Sequence, residues 1–136
     1  MKKIITVLVV GLLFLLVACA SGEMDDPNSQ NAGQPTTITA TQARNMMEEL
    51  TDFILLDVRT ETEFQNRRIE GAFLLPYDEI KSRAEAELPD KDAVILLYCQ
   101  SGRRSALAAA SLAAIGYTNI YDFGGIINWP YGSISG

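Results

Sequence analysis

Histidine is absent from this chain of 136 residues. That absence removes Ser-His-Asp and Cys-His nucleophile pairs, and it argues against zinc, haem and two-His-one-carboxylate iron sites. Cysteine is scarce as well, with only Cys19 and Cys99. Positive charge is in deficit, 11 Lys and Arg against 17 Asp and Glu, for a net charge of −6. A chain of that sign does not bind nucleic acid or anionic headgroups through its overall field. What is present is a globular balance, 48% apolar, on a length that suits one folded domain.

The longest hydrophobic run is terminal. Met1-Lys2-Lys3 precedes Ile4 to Val17, interrupted only by Thr6 and Gly11. This is shorter than the roughly 20 residues of a bilayer span, and a basic start before an apolar stretch reads as a targeting segment. It ends in Leu16-Val17-Ala18-Cys19, which resembles the lipobox of bacterial lipoproteins. The resemblance implies cleavage before Cys19, lipidation of its sulfur, and a domain anchored to a bacterial membrane on the extracytoplasmic side, in the periplasm or at the cell surface. An uncleaved anchor helix with Cys19 as one more apolar residue is the alternative.

On this reading residues 1–18 are a signal peptide and 19–36 the lipidated cysteine and a tether. Ala20 to Thr36 is polar, contains Gly and Pro, and has no apolar period. Residues 37–136 form the domain. Loss of Lys2 and Lys3 takes the net charge from −6 to −8. With Cys19 lipidated, Cys99 has no disulfide partner within the chain, so its thiol is there for packing or for reactivity.

From Ile38 onward strand and helix signals alternate. Thr39 to Gln42 fits a capping box, followed by Ala43, Met46, Met47 and Leu50 at helical spacing. Phe53 to Val58 is a short apolar run, and Thr60 to Glu63 a second capping box opening a short helix that ends before Gly71. Ala72 to Leu75 is a further run, and Tyr77 to Leu88 has apolar residues every four. Ala93 to Tyr98 reads as a strand, Ser105 to Ile115 as a helix closed by Gly116, Asn119 to Phe123 as a last strand, and Ile126 to Tyr131 as a final turn. The pattern predicts an α/β fold with a mostly parallel sheet and helices on both faces. Ligands in such sheets bind beyond the carboxyl ends of the strands, where Asp57-Val58-Arg59 and Cys99 both fall.

Between Cys99 and its helix stand Gln100, Ser101, Gly102 and Arg103, with Arg104 at the helix start. A short loop with a glycine can turn its N–H groups inward as an anion nest, and the helix N-terminus adds to the same field. With no histidine to act as base, the backbone and Arg103 and Arg104 are expected to favour the thiolate and hold an anionic substrate. Asp57 reads as a hydrogen-bond acceptor fixing neighbouring loops, or else as a general acid or base. Arg59 reads as reaching the site mouth or pairing with Glu61 or Glu63. Trp129, Tyr98, Met46 and Met47 read as packing residues.

Cys99-Gln100-Ser101-Gly102-Arg103-Arg104-Ser105 resembles the active-site loop of the single-domain rhodanese family, Cys-x-x-Gly-x-Arg-Ser. Asp57-Val58-Arg59, Glu63-Phe64, Ile69-Glu70-Gly71-Ala72, Gly116-Tyr117 and Gly124-Gly125 through Trp129 are similar to further family elements, so the resemblance runs over residues 37 to 130. It implies a five-stranded α/β sulfurtransferase in which Cys99 takes sulfur from thiosulfate or another small anionic sulfane donor. Cys99 would then pass that sulfur to a thiol or cyanide, with the protein acting as a monomer and without a metal or organic cofactor. Arg68 and Glu70 stand where the family often has His and Pro, and the segment after Trp129 departs from the usual ending. Two rivals remain. One is a persulfide-binding or sensing module without turnover. The other is a Cys-loop phosphatase or arsenate reductase, disfavoured because four residues, not five, separate Cys99 from Arg104.

Overall fold

The computed structural model describes residues 33–136. The segments expected to be signal peptide and lipidation site, Cys19 included, lie outside the described residues. Five strands form one all-parallel sheet: β1 (Thr36–Thr37), β2 (Ile54–Asp57), β3 (Phe73–Leu74), β4 (Val94–Cys99) and β5 (Asn119–Gly125), in the spatial order β1-β5-β4-β2-β3. The expected α/β architecture is the observed one. Four helices connect them: α1 (Ala40–Glu49), α2 (Glu61–Asn66), α3 (Ile80–Glu87) and α4 (Arg103–Ala114).

Both predicted capping boxes are formed. Thr39 Oγ1 accepts from the Gln42 N–H at 3.1 Å while Gln42 Oε1 accepts from the Thr39 N–H at 2.8 Å, and Thr60 and Glu63 do the same for α2. These bonds satisfy donors that a helix start otherwise leaves open. At the far end of α4, Gly116 takes φ 98°, the left-handed turn that stops the helix.

The central strands alternate between two apolar layers. Leu56, Ile95, Leu97, Cys99 and Ile120 pack with Ile80, Ala84 and Leu88 around α3 and with Ala108, Ala109 and Leu112 of α4. Leu55, Leu96, Tyr98 and Phe123 pack on the opposite side with Ala43 of α1, Ile126 and Trp129. Burial on both faces is why these strands read as unbroken apolar runs rather than as alternating ones. Cys99 therefore has its side chain in the α3/α4 layer, at the carboxyl end of a central strand.

Two local readings change. The strand pairing of the domain starts at Thr36, within the stretch assigned to the tether, because Thr36 and Thr37 lie in register with Tyr121 and Asp122 on the sheet edge. α4 starts at Arg103 rather than Ser105. The final turn is formed by Ile126–Asn128, and the chain after Trp129, which departs from the usual ending, turns back so that Arg68 and Ile134 exchange backbone hydrogen bonds of 2.9 and 2.8 Å. Arg68 itself lies over the Phe64 ring at 4.8 Å and donates to the Phe64 and Gly136 carbonyls. The residue that departs from the family pattern thus holds the tail that also departs from it.

Candidate active site

Registering Asp57 with Tyr98 puts the ends of β2 and β4 side by side, so the Asp57-Arg59 and Cys99 segments share one edge of the domain. On the other side β4 loses its regular register with β5 after Leu97, and Cys99 comes opposite Gly125. The irregularity lets residues 100–102 fold over the end of β5. A side chain at Gly125 would bring a Cβ to 2.5 Å from the Gln100 carbonyl oxygen and 2.7 Å from the Ser101 Cα. Only glycine permits this approach.

Gly102 has φ 106°, which turns its N–H back onto Cys99; the N–H donates to Sγ at 3.0 Å. As a glycine at the N-cap it supplies no side-chain acceptor to α4. The helix's first N–H groups are thereby left for a ligand rather than for a cap. Ser105 Oγ donates to the Gly102 carbonyl at 3.0 Å and lies 3.4 Å from the Gly124 carbonyl, tying loop, helix and β5 together. Cys99 is 1% exposed.

The arginines are not disposed as the sequence led us to expect. Arg104 makes two hydrogen bonds of 2.7 Å to the two carboxylate oxygens of Glu63, a fork-on-fork pair between α4 and α2. Arg104, with the N–H and hydroxyl of Thr60, holds the Glu63 carboxyl at about 2, well below its usual range. Arg59 pairs with neither Glu61 nor Glu63. It is 2% exposed and pairs with the fully buried Asp57, its Nε 2.9 Å from Oδ1 and its Nη2 2.6 Å from Oδ2. The remaining donors of Arg59 reach the Arg67 carbonyl and, at 3.3 Å, Gln100 Oε1. Asp57 is thus an acceptor that fixes Arg59, and Arg59 connects the end of β2 to the residue after Cys99.

Arg103 is exposed and has no ion-pair partner among the described residues. Ser101 is exposed at the loop tip. Two contributors are not evident from the sequence in these roles: Glu63, which reads as a cap or a partner of Arg59 but gives no sign of its bonds to Arg104, and Gly125, whose signal is the Gly124-Gly125 pair after a strand.

A profile of the rhodanese-like domain matches residues 39–130, more than half of the chain. The protein belongs to the rhodanese-like domain family. Thiosulfate sulfurtransferase PspE of Escherichia coli K12 is 35% identical over 71 residues, covering 52% of this chain and 68% of the relative. The probable adenylyltransferase/sulfurtransferase MoeZ of Mycobacterium tuberculosis is 34% identical over 104 residues, covering 75% of this chain but 26% of that longer protein. Among solved structures, one described as a rhodanese with anions from E. coli superposes with a TM-score of 0.57 at 31% identity, covering 61% of this chain and 98% of the other. Sulfur transfer is the general activity that the family and these relatives support.

Proposed function

We propose that this chain is a membrane-tethered sulfurtransferase that moves sulfane sulfur from a small anionic donor, thiosulfate or a persulfide or polysulfide, to a thiol or cyanide. The observation that carries the reading is the Gly102 N–H at 3.0 Å from Cys99 Sγ, at the uncapped N-terminus of α4. The Cys99 thiolate attacks the outer sulfur of the donor. A bond forms between the two sulfurs, and the rest of the donor leaves with the electron pair, as sulfite from thiosulfate or as a thiolate from an organic persulfide. The acceptor then attacks the terminal sulfur, and Cys99 departs as the thiolate. One negative charge stays at the sulfurs throughout, and loop N–H groups with the helix dipole stabilise it in both steps. No cofactor is required by this scheme.

The tether rests on Leu16-Val17-Ala18-Cys19, with the domain working as a monomer on the extracytoplasmic side. Cys19→Ala should release the protein from the membrane fraction; unchanged fractionation would remove the tether from the account. The chemical test is thiocyanate formation from cyanide with thiosulfate or polysulfide as donor, abolished in Cys99→Ser. A variant as active as the wild type would end the assignment. One observation favours a second reading, a module that stores the persulfide without turnover: Cys99 is 1% exposed. Under that reading Cys99 gains sulfur but yields it to neither cyanide nor small thiols.

A further inference from the structure

The ion pair between Glu63 and Arg104 bears on which donor the loop accepts. We propose that Glu63 is a specificity-determining positioning residue. By binding Arg104 with both carboxylate oxygens, it lowers the positive charge at the Cys99 loop, so that the site favours sulfane donors that carry a single negative charge over the thiosulfate dianion. This inference rests on the sulfur-transfer reading above and selects among its donors.

Three observations carry it. Both Arg104–Glu63 contacts are 2.7 Å, and Glu63 Oε2 also accepts from the Thr60 N–H and hydroxyl at 3.1 and 2.9 Å. Arg104 is therefore not free to swing onto a ligand without breaking up a four-bond cluster. Arg59, the other arginine touching the loop, is neutralised by fully buried Asp57. Among the described residues Arg103 has no ion-pair partner, and it is exposed to water and salt. Backbone dipoles remain for the donor, and these match one developing charge better than two full ones.

The test uses two donors of similar shape. Thiosulfate carries two charges; in methanethiosulfonate a methyl replaces one charged oxygen. Either transfers its outer sulfur to the Cys99 thiolate and leaves as sulfite or methanesulfinate, with charge conserved in each case. Glu63→Gln removes the carboxylate charge yet keeps a side chain that completes a capping box at this position, so α2 retains its start.

We expect the wild type to load faster from methanethiosulfonate than from thiosulfate. Glu63→Gln should raise kcat/KM for thiosulfate relative to methanethiosulfonate by about five- to tenfold, the effect of one unit charge acting over several ångströms at a partly solvated site. A second measurement needs no variant: wild-type kcat/KM for thiosulfate should not fall with added salt, whereas an arginine-driven site loses rate steeply. If both donors load Cys99 but the ratio is unmoved by Glu63→Gln, or the wild-type thiosulfate rate collapses with salt, the inference is overturned while sulfur transfer stands. If neither donor adds sulfur to Cys99, the sulfur-transfer reading itself fails and takes this inference with it.

Discussion

Replacing Gly125 by alanine puts a methyl group where the backbone of the Cys99 loop passes. The new Cβ would lie 2.5 Å from the Gln100 oxygen, 2.7 Å from the Ser101 Cα and 3.0 Å from the Gln100 carbon, whereas ordinary contact begins near 3.4 Å. All three obstacles are backbone, so no side chain can swing aside; the loop must move by about 0.9 Å from β5. Overpacking of this kind costs roughly 1–3 kcal/mol, which for a domain of about 100 residues lowers Tm by about 4 °C or more. The functional effect should be larger in proportion. Cys99 stands opposite Gly125 and takes its hydrogen bond from the same loop, and a displacement near 1 Å at a reacting centre costs on the order of 100-fold in rate.

Gly71→Ala is the control. Gly71 has φ 84° but open space around its Cβ position, so that variant pays only the backbone strain, roughly 1–2 kcal/mol, and leaves the loop in place. Circular dichroism melting and the rate of sulfur loading on Cys99 separate the cases. Gly125→Ala should lose both stability and rate, Gly71→Ala stability alone. A Gly125→Ala protein with wild-type loading would refute the claim that the close approach of β5 shapes the loop.

The buried Asp57–Arg59 pair gives a stability prediction. Arg59→Leu leaves the fully buried carboxylate without its partner and should cost about 3–5 kcal/mol in denaturant melts, with Asp57→Asn in the same chain restoring part of the loss. Additive losses in the double variant would contradict the pairing. Glu63 supplies a pH dependence. Its carboxyl lies at about 2 in the folded chain against 4.5 ordinarily, so its stabilising effect is complete above 4.5 and is lost as pH falls toward 2. Between pH 5 and pH 2 the wild type should therefore lose more stability than Glu63→Gln; parallel curves would count against the ion pair.

What could be read from residues alone was whatever local rules decide. Capping boxes at Thr39 and Thr60, the glycine stop at Gly116 and the doubly buried strands are dictated by hydrogen-bond demand and burial within a few residues, and they stand in the fold as expected. The Cys99 loop was legible because strand exit, glycine and helix start are contiguous. The partners of Arg59 and Arg104 were not. Asp57 and Glu61 each stand two residues from Arg59, and Asp57 is the partner because both leave the end of β2 into the same buried space, where an unpaired charge would be costly. Arg104 lies 41 residues from Glu63, and only the packing of α2 beside α4 joins them. Gly125 likewise acquires its meaning from the register shift between β4 and β5, which no single-strand pattern contains. The tail after Trp129 was recognised as a departure, but its return to Arg68 depends on a long-range backbone pair.

The most direct measurement is the mass of the purified protein after exposure to a sulfane donor, followed by peptide mapping. The protein should gain one sulfur atom, located on Cys99, absent in Cys99→Ser and removed by a thiol or cyanide. A protein that gains no sulfur from thiosulfate, methanethiosulfonate or polysulfide, or that gains it equally with Ser at position 99, would contradict the account.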